Sequence, residues 1–116
     1  MKFKLIVVMI DDEKTDRIID AARECGATGC TVVTNARGEG LKRTKTFLGL
    51  TLEGQRDVIL LLVEEHLSRD ILETISEAGS FESEPGSGVA FQIDIEDTVG
   101  LTSQFETIGR EIEEEL

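Results

Sequence analysis

The residues best placed to bind a charged group form a basic cluster near the middle of the chain. Arg37, Lys42, Arg43 and Lys45 lie within nine positions, although the chain as a whole has a formal net charge of −12. Because salt screens exposed charges beyond roughly 8 Å at physiological ionic strength, this cluster could hold a small anion despite the overall charge. The alternative is a polar loop whose side chains are only solvated.

Catalytic and metal-binding constellations are not recognisable in the sequence. His66 is the single histidine and begins an amphipathic segment, where a surface or capping role is expected. Cys25 and Cys30 lack a CxxC spacing. Since no export signal is evident, we expect two buried thiols rather than a disulfide. The sequence therefore predicts a protein that is not an enzyme and holds no metal.

The acidic charge and the apolar pattern limit the possible partners and locations. A net charge of −12 argues against general nucleic-acid binding, which needs a basic surface. The apolar run over residues 5–10 is followed at once by Asp11, Asp12 and Glu13, and it is too short to span a membrane. We expect a cytoplasmic protein with no direct membrane insertion.

Strand and helix patterns alternate along the chain in an order that predicts the fold class. Strands are expected over residues 2–10, 31–34, 58–63 and 91–95, and helices are expected to end near Gly26 and Gly79. The first helix is expected to be capped by Asp11 or Asp12. This βαββαβ order predicts an α+β, ferredoxin-like sandwich with a long loop between strands two and three.

The third predicted strand indicates that the protein is an oligomer. Residues 58–63 are apolar throughout, whereas alternation is expected in a strand with one face in water. Two helices cover only one face of such a sheet, so self-association is the simplest cover for the other.

Three groups of residues resemble the motifs of PII signalling proteins. They are Gly29-Cys30-Thr31-Val32, Arg37-Gly38-Glu39-Gly40, and Gly86-Ser87-Gly88 leading into residues 91–97. Each motif alone is weak, but their spacing within one βαββαβ frame is specific. The resemblance covers residues 1–103 as one domain and leaves residues 104–116 as an acidic tail or short helix.

The resemblance implies a homotrimer whose intersubunit clefts bind an adenine nucleotide. Glycines in the turn that matches the family's phosphate-cradling loop would let backbone N–H groups approach an anion closely. The resemblance also implies a mobile T-loop that docks on a membrane transporter or a metabolic enzyme. The residues expected to contact the ligand are Thr31, Arg37, Gly38, Gly40, Lys42, Leu62, Gly86, Ser87 and Gly88.

This chain lacks three phosphate-binding cations of the family. Val89 replaces a lysine, and Gly100 and Thr102 replace two arginines. Because each charge-assisted contact is worth about 1.5–3 kcal/mol, we expect AMP or ADP rather than ATP, with no cofactor certain. The chain has no tyrosine, so the tyrosine modification of some PII proteins is impossible here.

The loop over residues 37–55 is the predicted partner-docking element. Its basic half can steer an acidic partner, and its second half is more apolar than a solvated loop requires. The residues expected to contact the partner are Arg43, Lys45, Phe47, Leu48 and Leu50. Alternatively, residues 46–52 form a hairpin arm on a neighbouring subunit.

A second class of function stays open at this point. The missing cations are also compatible with a ferredoxin-like trimer, similar to CutA, that binds a protein or a metal ion without nucleotide. A hydrolase on the same fold would need a rigidly placed catalytic group, and the nearest candidates, Asn35 and Arg37, lie in or beside the loop.

Overall fold

The computed structural model describes residues 2–37, 46–47, 50–51 and 56–101. Their order along the chain is strand, helix, strand, short hairpin, strand, helix, strand. The elements are β1 (Phe3–Asp11), a 3-10 turn (Asp12–Lys14), α1 (Thr15–Glu24), β2 (Thr31–Ala36), β3 (Thr46–Phe47), β4 (Leu50–Thr51), β5 (Arg56–Glu64), α2 (Glu65–Gly79) and β6 (Gly88–Asp94).

Four strands form one sheet in the order β2-β5-β1-β6, and all three neighbouring pairs are antiparallel. Because β5 lies antiparallel between β1 and β2, those two strands run in the same direction, as a split βαβ unit requires. The α+β, ferredoxin-like prediction is confirmed. Strands β3 and β4 form a separate two-stranded ladder, in which Thr46 lies opposite Thr51 and Phe47 lies opposite Leu50.

The hydrophobic core lies between the sheet and the two helices. Alternate residues of β1 and β5 point to this side, and the helices bury positions spaced three or four residues apart. Ile18 and Ala22 of α1, and Ile71 and Ile75 of α2, are buried there. The sheet contributes Ile6, Val8, Ile10, Ile59, Leu61 and Val63.

The opposite side of the sheet, here called the open face, is also largely apolar. Both α-helices pack on the other side, so the open face is left without a helical cover. Val33, Phe91 and Ile93 on this face are 47%, 38% and 46% exposed. By the strand registers, the open face comprises Leu5, Val7, Met9, Thr31, Val33, Val58, Leu60, Leu62, Val89, Phe91 and Ile93.

Three local expectations from the sequence need correction. The first helix begins at Thr15 after a 3-10 turn, and Asp11 makes no capping hydrogen bond through its side chain. Ser80, not Gly79, adopts the left-handed conformation after α2, with φ 58°. Cys30 is exposed and Cys25 half-buried, so the expectation of two buried thiols was wrong for Cys30. Both thiols are free.

Gly79 ends α2 because a side chain at that position would collide with the core. A Cβ there would overlap the ring of Phe81 and lie 3.0 Å from Cδ1 of Ile18. The left-handed conformation that sequence reasoning assigned to Gly79 is therefore not its role. Gly26, at the end of α1, does adopt a left-handed φ of 110°, as predicted.

We predict that Gly79→Ala destabilises the protein, although alanine favours a helix by about 0.5–1 kcal/mol relative to glycine. Overpacking against Phe81 is expected to cost about 1–3 kcal/mol and to outweigh that gain. Gly29→Ala is the matched control, because a Cβ there meets no atom within 4 Å. Urea unfolding that shows Gly79→Ala to be more stable than the parent would contradict this packing role.

Candidate functional site

The strand registers bring the root of the 37–55 loop to the same end of the molecule as the 85–88 turn. Arg56, the first residue of β5, lies opposite both Asp11 and Ala36. The next pair along β1, Ile10 with Gly88, places the start of β6 beside it. The structure therefore brings the predicted residues Arg37 and Gly88 to one end of the sheet.

The turn before β6 is held by its own hydrogen bonds. Ser87 is buried; its hydroxyl donates to the carbonyl oxygen of Ser80 at 3.1 Å, and its backbone N–H donates to the carbonyl of Glu84 at 3.1 Å. Lys14 donates to the carbonyl of Gly79 at 2.9 Å and pairs with Glu84 at 3.1 Å. The predicted ligand residue Ser87 thus also has a structural role in fixing the turn.

The two glycines of this turn meet different structural needs. Gly86 has a φ of 80°, a left-handed conformation that favours glycine. A Cβ on Gly88 would overlap Phe81 and lie 2.7 Å from Cγ2 of Ile10, so Gly88 lets the turn pack on the core. Glycine at position 88 is therefore required by packing, whether or not a phosphate binds nearby.

A buried cation at the loop root was missed by the sequence analysis. Arg56 is only 7% exposed, and its guanidinium pairs with the carboxylate of Asp11. Its Nε is buried and has no hydrogen-bond partner among the described residues. A buried guanidinium with an unused donor can stabilise a further negative charge. The signal was a charged pair, Arg56 and Asp57, leading directly into an apolar strand.

Asp57 is the second buried charge at this position. It is 6% exposed, and its Oδ2 accepts a hydrogen bond of 2.6 Å from the hydroxyl of Thr15. Thr15 is the first residue of α1. The start of β5 is thereby tied to β1 through Arg56 and to α1 through Asp57, so the loop root is fixed on both sides.

Other predicted ligand residues lie away from this end. Thr31 begins β2 and Leu62 lies near the end of β5, both on the open face. At 3.3 Å per residue, Thr31 lies roughly 16 Å from Ala36, and Leu62 lies roughly 20 Å from Arg56. One subunit therefore does not bring them together with Gly86 and Gly88.

The remaining predicted residues are placed only in part. Phe47 and Leu50 belong to the β3–β4 ladder, where the predicted hairpin is present. Of the positions that depart from the family pattern, Val89 is half-buried beside Met9, and Gly100 is exposed with a φ of 89°. Several predictions lie outside the described residues: Gly38, Gly40, Lys42, Arg43, Lys45, Leu48, Thr102 and the tail over 104–116.

Comparison with known families decides the relationship that the motifs suggested. The model of the family described as nitrogen regulatory protein P-II matches residues 3–104. The chain belongs to the P-II family. This confirms the resemblance and places the chain among regulatory, signalling proteins. Comparison with curated protein sequences gives no match.

Solved structures of PII-like proteins share the fold. CPII from Thiomonas intermedia K12, solved with ADP, AMP and acetate, aligns with a TM-score of 0.66 and 24% identity over 86% of this chain and 92% of its own. CPII with ADP, AMP and bicarbonate gives 0.62 and 24% over 84% and 94%. A PII-like signalling protein from Thermus thermophilus gives 0.64 and 22% over 88% and 95%.

Two features are absent from the described part of the P-II chain. No helix in it is long and apolar enough to cross a bilayer. No three histidine, cysteine, aspartate or glutamate side chains within it are grouped as a metal ion would need.

We predict strong energetic coupling between Asp11 and Arg56. Removing Asp11 alone leaves a buried guanidinium unpaired, which is costly by up to about 3–5 kcal/mol. In the Arg56→Met background, Asp11→Ala should cost much less. A double-mutant cycle by urea unfolding should therefore give a coupling energy toward the upper end of the usual range of about 0.5–3 kcal/mol.

The exposed pair Arg69 and Glu73, four residues apart on α2 with an N–O distance of 2.9 Å, is the matched control. Its coupling should be only about 0.3–0.5 kcal/mol. Equal coupling energies in the two cycles would mean that Arg56 is well solvated and is not the buried cation described here.

Proposed function

We propose that this P-II family protein senses an adenine nucleotide with one or two phosphates in clefts between the subunits of a homotrimer. The observation that carries the proposal is the buried Arg56, which has an unused N–H donor at the root of the 37–55 loop. It supplies a positive charge beside the Gly86–Gly88 turn, where the family pattern has lost three cations.

The trimer follows from the open face. Large apolar side chains such as Phe91 and Ile93 stay substantially exposed in one chain, and burying such a side chain fully is worth about 1.5–3 kcal/mol. A closed ring of three subunits can cover every open face against its neighbours. It would also set Thr31 and Leu62 of one subunit near the turn of the next, which a single chain does not do.

The number of phosphates follows from the available charge. Arg56 already pairs with Asp11, so it can offer one free donor and not a full cationic cluster. With Val89, Gly100 and Thr102 in place of cations, a γ-phosphate would have no counter-charge in this site. AMP and ADP are therefore the favoured ligands, and the CPII structures solved with both nucleotides support this choice.

Ligand binding is proposed to act on the 37–55 loop through its root. An anion that engages Arg56 competes with Asp11, and any change at Arg56 occurs where β2 ends and β5 begins. The loop would then dock on a membrane transporter or a metabolic enzyme in the cytoplasm. The proposed contacts are Arg43, Lys45, Phe47, Leu48 and Leu50.

Calorimetry with AMP, ADP and ATP tests the ligand proposal. We expect AMP or ADP to bind more tightly than ATP. Arg56→Met should weaken that binding roughly 10- to 150-fold, since a charge-assisted hydrogen bond is worth about 1.5–3 kcal/mol. Arg69→Met, at an exposed arginine of α2, is the control and should leave affinity unchanged. Submicromolar ATP binding that exceeds ADP binding would contradict the proposal.

A charge on the open face tests the assembly. Leu60→Glu places a carboxylate at the centre of β5, opposite Val7 and Thr31, and should dissociate the trimer or unfold the chain. Ser83→Glu, at an exposed site in the turn, is the control and should leave the assembly intact. Light scattering that finds Leu60→Glu in the same folded assembly as the parent would rule out the open face as the interface.

If none of these nucleotides binds to an intact trimer, the alternative is a protein- or metal-binding trimer similar to CutA. The missing phosphate-binding cations are the feature that favours it.

A further inference from the structure

The edge of the sheet formed by β6 is free to accept another strand. In the described part of the chain β6 pairs with β1 alone. The backbone N–H of Ile95 donates to the carbonyl of Phe3. Since such bonds alternate along an antiparallel pair, the N–H groups of Ala90 and Gln92 point away from β1, toward the edge.

The two edges of the sheet differ in how they are protected. On β2 the register with β5 shifts between Val33 and Ala36, and Asn35 has a left-handed φ of 58°. Such irregularities discourage pairing with another strand. β6 keeps a regular register with β1 and contains neither lysine nor proline. Only β6 therefore presents a regular edge.

A groove beside this edge has an apolar floor. It lies between α2 and the first half of β6 and has a volume of about 470 Å³, within the usual range for binding sites. Leu72, Phe81 and Ala90 supply apolar surface. The other lining residues are Arg69, Glu73, Ser76, Glu77, Glu82, Gly88 and Val89.

The rim of the groove is acidic. Glu73, Glu77 and Glu82 line it and are exposed. Arg69 is the one cation among the lining residues, and it is paired with Glu73. Farther along β6, Asp94 is neutralised by Lys4, whose hydrogen bond holds the pKa of that carboxyl below its usual value. The uncompensated negative charge therefore lies at Glu77 and Glu82.

We propose that the groove between α2 and β6 binds an extended basic segment of a partner protein, which joins the sheet as a fifth strand beside β6. Residues of the added strand that face Ala90 and Gln92 are lysines or arginines. Their aliphatic stems cover Leu72 and Phe81, and their charged ends reach Glu77 and Glu82. The intervening residues are apolar and continue the open face beside Phe91. Strand addition of this kind is a known mode of peptide recognition.

The proposal is separate from nucleotide sensing. It requires neither Arg56 nor the 37–55 loop, and the groove lies on the helix side of the sheet. Loss of nucleotide binding would leave it unaffected.

The test uses a fluorescent heptapeptide of alternating lysine and valine with the full-length protein. Anisotropy should show saturable binding, and NMR should show that the amides of Ala90 and Gln92 shift. A second peptide of the same sequence, N-methylated at its lysine backbone amides, keeps the charge but cannot pair with β6. It should bind at least tenfold more weakly, as should the acidic counterpart with glutamate in place of lysine.

The protein variant Glu77→Lys/Glu82→Lys should bind the basic peptide at least tenfold more weakly. Glu13→Lys/Glu24→Lys makes the same change of charge at exposed positions outside the groove and should bind like the parent. Equal affinity for the methylated and unmethylated peptides would overturn the proposal, because it would indicate only electrostatic adsorption. Shifts of Ala90 and Gln92 that follow protein concentration and not peptide would also overturn it, in favour of a second copy at the edge.

Discussion

The two faces of the central sheet are unequally covered, and the rest of the molecule depends on that inequality. β1 and β5 place Ile6, Val8 and Ile59 under the helices, while Val7 and Leu60 form an apolar pair on the other side. Each such side chain is worth about 1.5–3 kcal/mol when fully buried. A neighbouring subunit that covers this face would also create the clefts in which a ligand could contact two subunits.

The ligand response is proposed to depend on charges buried where the loop joins the sheet. Arg56 and Asp57 enter the interior only because Asp11 and Thr15 satisfy part of their polar demand. An anion near Arg56 therefore changes an existing balance between two charges, and this balance lies at the first residue of β5. The same end of the sheet holds the Gly86–Gly88 turn, so a ligand site and the loop root are adjacent by topology.

Much of the fold was predictable because it depends on local periodicity, and much of the site was not. The strand at 58–63 and the stripe along α2 have clear periods, and the motifs identified the P-II family. Arg56 was missed because its burial depends on Asp11, which is 45 residues away in sequence. Likewise, Gly79 was taken for the helix cap because its contact with Phe81 is tertiary. Thr31 and Leu62 were grouped with the turn by resemblance, whereas the register separates them within one chain.

Native mass spectrometry of the unmodified protein with ADP tests the central claim most directly, because it reports assembly and ligand number together. The account predicts a species of about 38 kDa plus ligand, three times the chain mass of 12.8 kDa, with up to three bound nucleotides. A predominant 12.8 kDa species at micromolar concentration, with or without ADP, would contradict it, because the open face would then be stable in water.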